Sequence, residues 1–496
     1  MVAGTKPRPI RTAAITNLGC KVNQAEMEDA ARRLRQRGVA IVDGDRPADL
    51  VLVNTCTVTA EADAKSRHAV RRARRASPDA PIVVTGCSVQ VGREAFAAAD
   101  SGATLVDNRA KDALLAELDA LLGPSGAEPS GRESALVARP LPTLSGVAVD
   151  GIADDRASVE RTRAFVKVQD GCSFFCTYCI IPTARGPERS LAPDAVVADV
   201  QRALSAGHRE IVLTGINIGT YDGGWSERGP RGAHARSALT LAGLVQRLLD
   251  ETDVERIRLS SIEPQHVDDE LLRVWSDGAP RTMPHVHLPL QSGDDGVLRR
   301  MGRRYTSSEY ATMIRRVRAA IPGVAVHGDV IVGFPSEDDA AWQRSFEFIR
   351  AIDFAGIHAF RYSARPGTAA TRMTGQVDEH AKKRRATELL AHAAVARQAW
   401  ADARVGAQVD VLFETRVDDG RWSGHAADHT LVAVLAPGPV GDLENTIGRV
   451  AVEAVDPTRR DRVVGRILSL SPPRARIAPA TLTRYPSRSG AAVHAR

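Results

Sequence analysis

The chain has 496 residues, 43% hydrophobic and 25% charged, with a formal net charge of +6 and a pI near 9.1. That length calls for about three domains, the apolar share excludes wholesale disorder, six cysteines exclude a disulfide scaffold, and the positive balance favours a nucleic-acid partner. The opening MVAGTKPRPIRTAA lacks the apolar stretch of a signal peptide and no apolar run reaches ~18 residues, so a cytoplasmic protein without a membrane partner is expected.

Residues 11–122 alternate strand and helix. Strands are expected at Ala13–Asn17, Leu50–Asn54, Ile82–Thr85 and Thr104–Val106, with helices at MEDAARRLRQRG and AEADAKSRHAVRRARRA. Such alternation implies βαβ units and a parallel sheet, whose strand ends share one edge. Residues 123–160 are rich in Pro, Gly and Ser and read as a linker. From 161 to 398 six more strands follow, AFVKVQ, REIVLTG, RIRLSSIE, HVHLPLQ, VHGDVIVG and GIHAFRYS, separated by helices. This is the pattern of a (βα) barrel, with chemistry at the carboxyl ends of the strands. YDGGWSERGPRGAHARSA reads as a loop insertion within it. Short β pieces over 402–470 predict a small β-barrel. Residues 471–496 carry five arginines and no acid and read as a basic disordered tail. The fold class is α/β with a terminal β domain.

The cysteines fall into two sets of three. Cys172, Cys176 and Cys179 share the loop GCSFFCTYCIIP, with spacing Cys-x3-Cys-x2-Cys. Buried free cysteines seldom cluster so tightly, and zinc would want a fourth ligand that no nearby His supplies. Three thiolates leave one iron of a [4Fe–4S] cluster open to a further ligand. Cys20, Cys56 and Cys87 are far apart in sequence, but each follows a strand of the first domain. Taken alone, three scattered cysteines are most often small buried hydrophobes. Their strand-end placement brings them to one edge.

CSFFCTYC, with Tyr178 before its last cysteine, resembles the radical S-adenosylmethionine superfamily. The resemblance implies a partial (βα)6 barrel and a cluster on Cys172, Cys176 and Cys179. The open iron of that cluster would chelate S-adenosylmethionine and yield a 5′-deoxyadenosyl radical. Gly215, Glu263, His287, Gln291 and Gly333 sit at successive strand ends. With Tyr178 they are the expected cofactor-binding residues, although for each alone a structural turn is an equal explanation. GCKVNQAE, NTCTVTAEADAKSR and VVTGC are similar to the amino-terminal domain of the methylthiotransferases, which implies a second [4Fe–4S] cluster on Cys20, Cys56 and Cys87. GCKVNQ, CTYCIIPTARGP and RLSSIEPQ look closest to the branch acting on N6-threonylcarbamoyladenosine at position 37 of tRNA. The chain departs from the family pattern at Ser88, Val89, Asn217, Asp294 and Gly296.

The terminal β domain stands where that family carries its TRAM domain. The expected partners are the anticodon loop of tRNA and an electron donor such as flavodoxin or ferredoxin; the sulfur donor is not indicated. The run Lys65–Ala76 places Arg71, Arg72, Arg74 and Arg75 on a helix between two cysteines. A solvated face is the ordinary meaning of such a run, and contact with RNA phosphates the functional one. Rival readings are a methylthiotransferase for isopentenyladenosine in tRNA or for a ribosomal protein, and a non-catalytic iron–sulfur or RNA-binding protein.

Overall fold

The computed structural model describes residues 9–108 (save 43 and 45), 111–123, 162–224, 239–417, 420–435 and 442–472. The linker, most of the loop insertion and nearly all of the basic tail lie outside the described residues.

The first domain runs β1 (Thr12–Asn17), α1 (Lys21–Gln36), β2 (Ala40–Val42), β3 (Leu50–Thr55), α2 (Ala60–Ala76), β4 (Ile82–Gly86), α3 (Cys87–Ala97), β5 (Thr104–Leu105) and α4 (Lys111–Leu122). The sheet is parallel with order β2-β1-β3-β4-β5. Every residue of β3 and β4 is buried, which is why both read as unbroken apolar runs. The short edge strand β2 escapes sequence reading. Helix α2 buries Ala62, Ser66, Ala69, Val70 and Ala73 at helical spacing, and the Thr59 side chain caps its first turn. Helix α1 corrects the expectation: it begins at Lys21, not near Met27. Its first turns bury Asn23, Gln24 and Glu26, polar residues that offer no amphipathic signal: Asn23 and Glu26 meet Arg185 of the next domain, and Gln24 bonds Asn17 of β1.

The second domain opens with β6 (Arg163–Lys167) and the short β7 (Gln169–Asp170), α5 (Ile181–Arg185) and β8 (Arg189–Ser190). It continues α6 (Pro193–Ser205), β9 (Glu210–Thr214), α7 (Leu241–Glu251), β10 (Arg256–Leu259), α8 (Asp269–Asp277), β11 (His285–His287), α9 (Asp295–Met301), α10 (Ser307–Ala320), β12 (Ala325–Val332), α11 (Asp339–Ile352), β13 (Gly356–Arg361) and α12 (Glu379–Asp402). All six expected strands are present. Strands β6, β9 and β10 form one parallel sheet and β11, β12 and β13 another. A bridge Ile257–Thr282 and a bond from Ile262 N to His287 O (3.0 Å) join them into a partial six-stranded barrel. Asp294, a departure from the family pattern, caps α9 by accepting from Val297 N.

The first domain closes the barrel mouth. Lys167, at the end of β6, pairs with Glu26 of α1 (3.1 Å), and Arg365, beyond β13, pairs with Asp63 of α2 and bonds Thr57. The third domain is a closed five-stranded barrel, β14 (Gln408–Arg416), β15 (Trp422–Ala426), β16 (Leu431–Val434), β17 (Ile447–Val455) and β18 (Arg462–Leu470). It covers the opposite end. Arg256 donates to Asp410 O (2.7 Å), Arg258 to Ala427 O (3.2 Å) and Asn445 to Gly207 O (2.6 Å). Strand β15 went unread because WSGHA lacks β-branched residues; tertiary pairing makes it a strand.

Candidate active site

Each auxiliary cysteine is placed by a strand end. Cys20 precedes α1, Cys56 follows β3, and Cys87 opens α3. Gly86 has φ +106°, and a Cβ there would lie 2.4 Å from Asn54 Oδ1 and Thr55 O, so only glycine lets β4 turn Cys87 inward. Burial first, then the neighbouring Cys87 and Cys20, pushes the Cys56 thiol up to about 12. All six cysteines are free.

The second triad sits on the loop after β7. Gly171 (φ +70°) starts it, and a Cβ there would strike Pro187 O at 1.9 Å. Cys179 N donates to Cys176 O (2.9 Å), and Thr177 ties the loop to Met301 O (3.0 Å) and Ala370 N (2.8 Å). Burial raises Cys172 and Cys179 to about 12. The bare thiols of Cys56, Cys172 and Cys179 are therefore protonated, and metal binding must displace those protons.

The elements that carry the two triads pack against each other. Helix α3, which begins at Cys87, packs against α5, which begins two residues after Cys179. Asn108 spans them: its Nδ2 donates to Cys87 Sγ (3.5 Å) and to Ala184 O (3.3 Å). Arg185, 1% exposed, reaches across to Glu26 (3.0 Å) and Asn23 (2.5 Å) while holding Asp170 (2.8 Å).

Around the second triad, Arg303 is the residue that sequence reading missed. It pairs with Glu263 and approaches Cys176 Sγ and the Tyr178 hydroxyl, each at 3.5 Å. No motif announces it; it comes from the turn after α9. Gly215 lies against Gln169, whose Oε1 accepts from Asn217 N (2.9 Å). Gln291 is a buried backbone kink (φ +68°) laddered to Asp329 O. Gly333 is a turn whose N donates to Glu337 (2.7 Å) and which Lys382 covers, a structural role needing no ligand. His287 lies deeper, in the barrel interior. Its Nε2 bonds Asp329 Oδ1 (2.8 Å), which also meets His358 Nδ1 (3.0 Å). Although burial alone would raise it, His287 and His358 hold the Asp329 carboxyl well below its usual range.

Residues 12–106 match the family described as Uncharacterized protein family UPF0004, and residues 166–349 match the Radical SAM superfamily. Threonylcarbamoyladenosine tRNA methylthiotransferase MtaB of Bacillus subtilis (strain 168) is 37% identical over 381 residues, covering 77% of this chain and 80% of that protein. The chain belongs to the radical SAM methylthiotransferase family. The like-named protein of Chlamydia pneumoniae is 33% identical over 453 residues, 91% of this chain and 96% of that one. The tRNA-2-methylthio-N(6)-dimethylallyladenosine synthase of Maricaulis maris (strain MCS10) is 33% identical over 448 residues, 89% of this chain and 94% of that one.

A radical SAM methylthiotransferase works with S-adenosylmethionine and two [4Fe–4S] clusters, and the residues present fit both. Each triad offers three free thiols, and Cys56 and Cys179 each feel both other cysteines of their triad, the donor set of an open cluster. Beside the second triad, Asn217 is 3% exposed with neither amide atom hydrogen-bonded, an unmet pair at the strand end where a bound amino acid would complete it.

The arginine helix divides. Arg74 is bound to Asp100 and to Pro78 O and Ala80 O (2.9 Å each), so it braces its own domain. Arg71 and Arg75 are exposed; Arg72 is half-buried. Replacing Arg71 and Arg75 with Gln is expected to weaken tRNA binding and lower the log–log salt slope by about 1 to 2, measured by filter binding at several salt concentrations. An unchanged slope would remove this helix from the RNA path.

Proposed function

We propose that this methylthiotransferase acts on tRNA, converting N6-threonylcarbamoyladenosine at position 37 to its 2-methylthio derivative, with Cys172, Cys176 and Cys179 holding the cluster that serves S-adenosylmethionine and Cys20, Cys56 and Cys87 the auxiliary one. The reading is supported by the packing of α3, which opens at Cys87, against α5, which follows Cys179, with Asn108 bonded to both Cys87 Sγ and Ala184 O. An adenine C–H at carbon 2 is neither acidic nor electrophilic, so acid–base residues have no purchase on it. When bound, the groups supply what side chains cannot: a 5′-deoxyadenosyl radical on one side and a sulfur source on the other.

The protein's own residues position and seal. Arg303 orients Glu263 and Tyr178 beside Cys176, Asn217 and Gly215 present the β9 strand end to the cofactor's methionyl part, and the first domain lids the barrel against water. A base in an unpaired loop can be splayed into the barrel mouth, which suits the anticodon loop. A flavodoxin- or ferredoxin-like reductant, a cytoplasmic location and a TRAM-like role in RNA binding for the terminal barrel complete the reading.

Nucleoside analysis of tRNA from a deletion strain tests it. The methylthio product should vanish and threonylcarbamoyladenosine accumulate. If the product persists in a strain with no second such enzyme, or the isopentenyl derivative is lost instead, the substrate assignment fails.

A further inference from the structure

Three histidines meet where the terminal β domain covers the barrel, at the end away from the cysteines. His285 opens β11, His327 lies near the start of β12, and His429 stands in the turn between β15 and β16. The ring of His285 lies 4.7 Å, centre to centre, from those of both His327 and His429. One ring nitrogen from each of the three lies within 4.8 Å of the other two.

Two features mark the trio as unfinished. His285 is 5% exposed, and neither of its ring nitrogens has a hydrogen-bond partner. Buried polar groups are seldom left so. His429 is held at φ +70°, backbone that a residue with a β-carbon adopts rarely. Its turn is fixed by bonds from His429 N to Ala426 O and from Ala426 N to Thr430 O (2.9 Å each). Strain of this kind persists where something is gained by it, and here it carries an imidazole of one domain against two of another. By contrast His287, His358 and Asp329, the other group close enough to share an ion, already satisfy one another.

We propose that His285, His327 and His429 form a binding site for a divalent transition cation of the zinc class, which clips the terminal β domain to the barrel. None of the three rings bonds a carboxylate among the described residues, and desolvation holds them well below their usual range, so each keeps a lone pair. Three imidazoles with a fourth position left to water are a known zinc donor set. Zn–N bonds of about 2.0 to 2.1 Å set tetrahedral nitrogens about 3.4 Å apart, so ring rotations must close the trio by no more than about 1.4 Å. His429 also gives up a contact of its Nε2 with Arg163, which is long at 3.4 Å, while Arg163 keeps Glu414 at 2.9 Å.

Charge selects the class of cation. Arg258 and Arg256 share Glu210 (2.7 and 3.6 Å), Arg163 and His425 share Glu414 (2.9 Å each), and Asp329 is held by His287 and His358. The carboxylates are thus engaged, and Lys21 adds a positive field at His285 and His327. Magnesium and calcium bind through oxygen ligands and charge, and find neither here. Zinc, cobalt and nickel bind imidazole lone pairs and need no carboxylate.

The test uses reconstituted holoenzyme, dialysed against zinc chloride and desalted, with metals counted by plasma mass spectrometry. The wild type should carry about one zinc per chain beside its iron, and His327→Gln and His429→Gln should lose it by about tenfold or more. Unchanged iron shows that both variants fold. Zinc should also raise the thermal midpoint of the wild type and of neither variant, because it binds only the docked form; magnesium chloride should raise none. A wild type without zinc, or full zinc in either variant, would overturn the site. Zinc that enters only as iron falls would overturn it too, by placing the metal on the cysteines. Zinc lost on His287→Gln but kept on His327→Gln would move it to the Asp329 group. Zinc bound by the trio with no change in midpoint would overturn the clip.

Discussion

Replacing Cys176 with Ala is expected to reduce S-adenosylmethionine cleavage to background and to lower reconstituted iron from about eight to about four per chain. Two remaining thiols on the Cys172–Cys179 loop cannot hold a four-iron cluster open at one corner, and Cys176 has a second duty. Its sulfur is the one Arg303 approaches, and Arg303 in turn holds Glu263 and Tyr178. Replacing Cys56 with Ala is expected to lower iron by the same amount but to spare cleavage of S-adenosylmethionine while stopping methylthiolation. The asymmetry follows from placement. Cys56 is anchored at the end of β3, where its backbone N donates to the Ser66 hydroxyl (3.1 Å), and no described hydrogen bond runs from it to the barrel. Anaerobic iron and sulfide analysis, with 5′-deoxyadenosine and nucleoside products by mass spectrometry, reads all four quantities. Full iron in either variant, or loss of both activities in both, would defeat the two-cluster division of labour.

The sequence carried the radical triad because its three ligands lie within eight residues, so their convergence needs no knowledge of the fold. The barrel strands were legible for a different reason. A parallel strand covered on both faces is a continuous apolar run, and an IVLTG-like string is hard to mistake. The auxiliary triad was legible by way of topology and of its likeness to the methylthiotransferase amino-terminal domain: strand ends of a parallel sheet share an edge, and Cys87 opens α3 directly after β4.

What remained hidden is the polar material between domains. Asn23 and Glu26 of α1 are buried against the barrel rather than in a core, so they broke the helical pattern and pushed the expected start of α1 too late. His285, His327 and Asp329 alternate with Val286, Gly328 and Val330, and in one dimension that alternation says only that one face is polar. It does not say that His287 and His358 both close on Asp329 inside the barrel. Arg303 had no signal at all, since its partners come from the strand ends of β7 and β10.

Arg185→Met should be the most damaging substitution outside the cysteines. The guanidinium is 1% exposed and joins Glu26 and Asn23 of the first domain to Asp170 of the second. Removing it leaves two carboxylates, 6% and 1% exposed, short of their main partner. Breaking a buried pair in this way costs about 3 to 5 kcal/mol, and the lower end applies because Lys167 still reaches Glu26 (3.1 Å) and Asp170 (3.2 Å). The strain falls at a domain boundary, so the expected response is release of the first domain, not collapse of the barrel core. Chemical denaturation should separate into two transitions, the first shifted by about 3 kcal/mol, with cleavage of S-adenosylmethionine retained and methylthiolation lost. The sign of the charge argument can be checked by adding Glu26→Gln to Arg185→Met. If stranded charge is the cause, the double variant should recover part of the loss, because the amide needs no counter-ion. A double variant no more stable than the single one would mean that lost packing by the Arg185 stem, not unpaired charge, is what holds the two domains together.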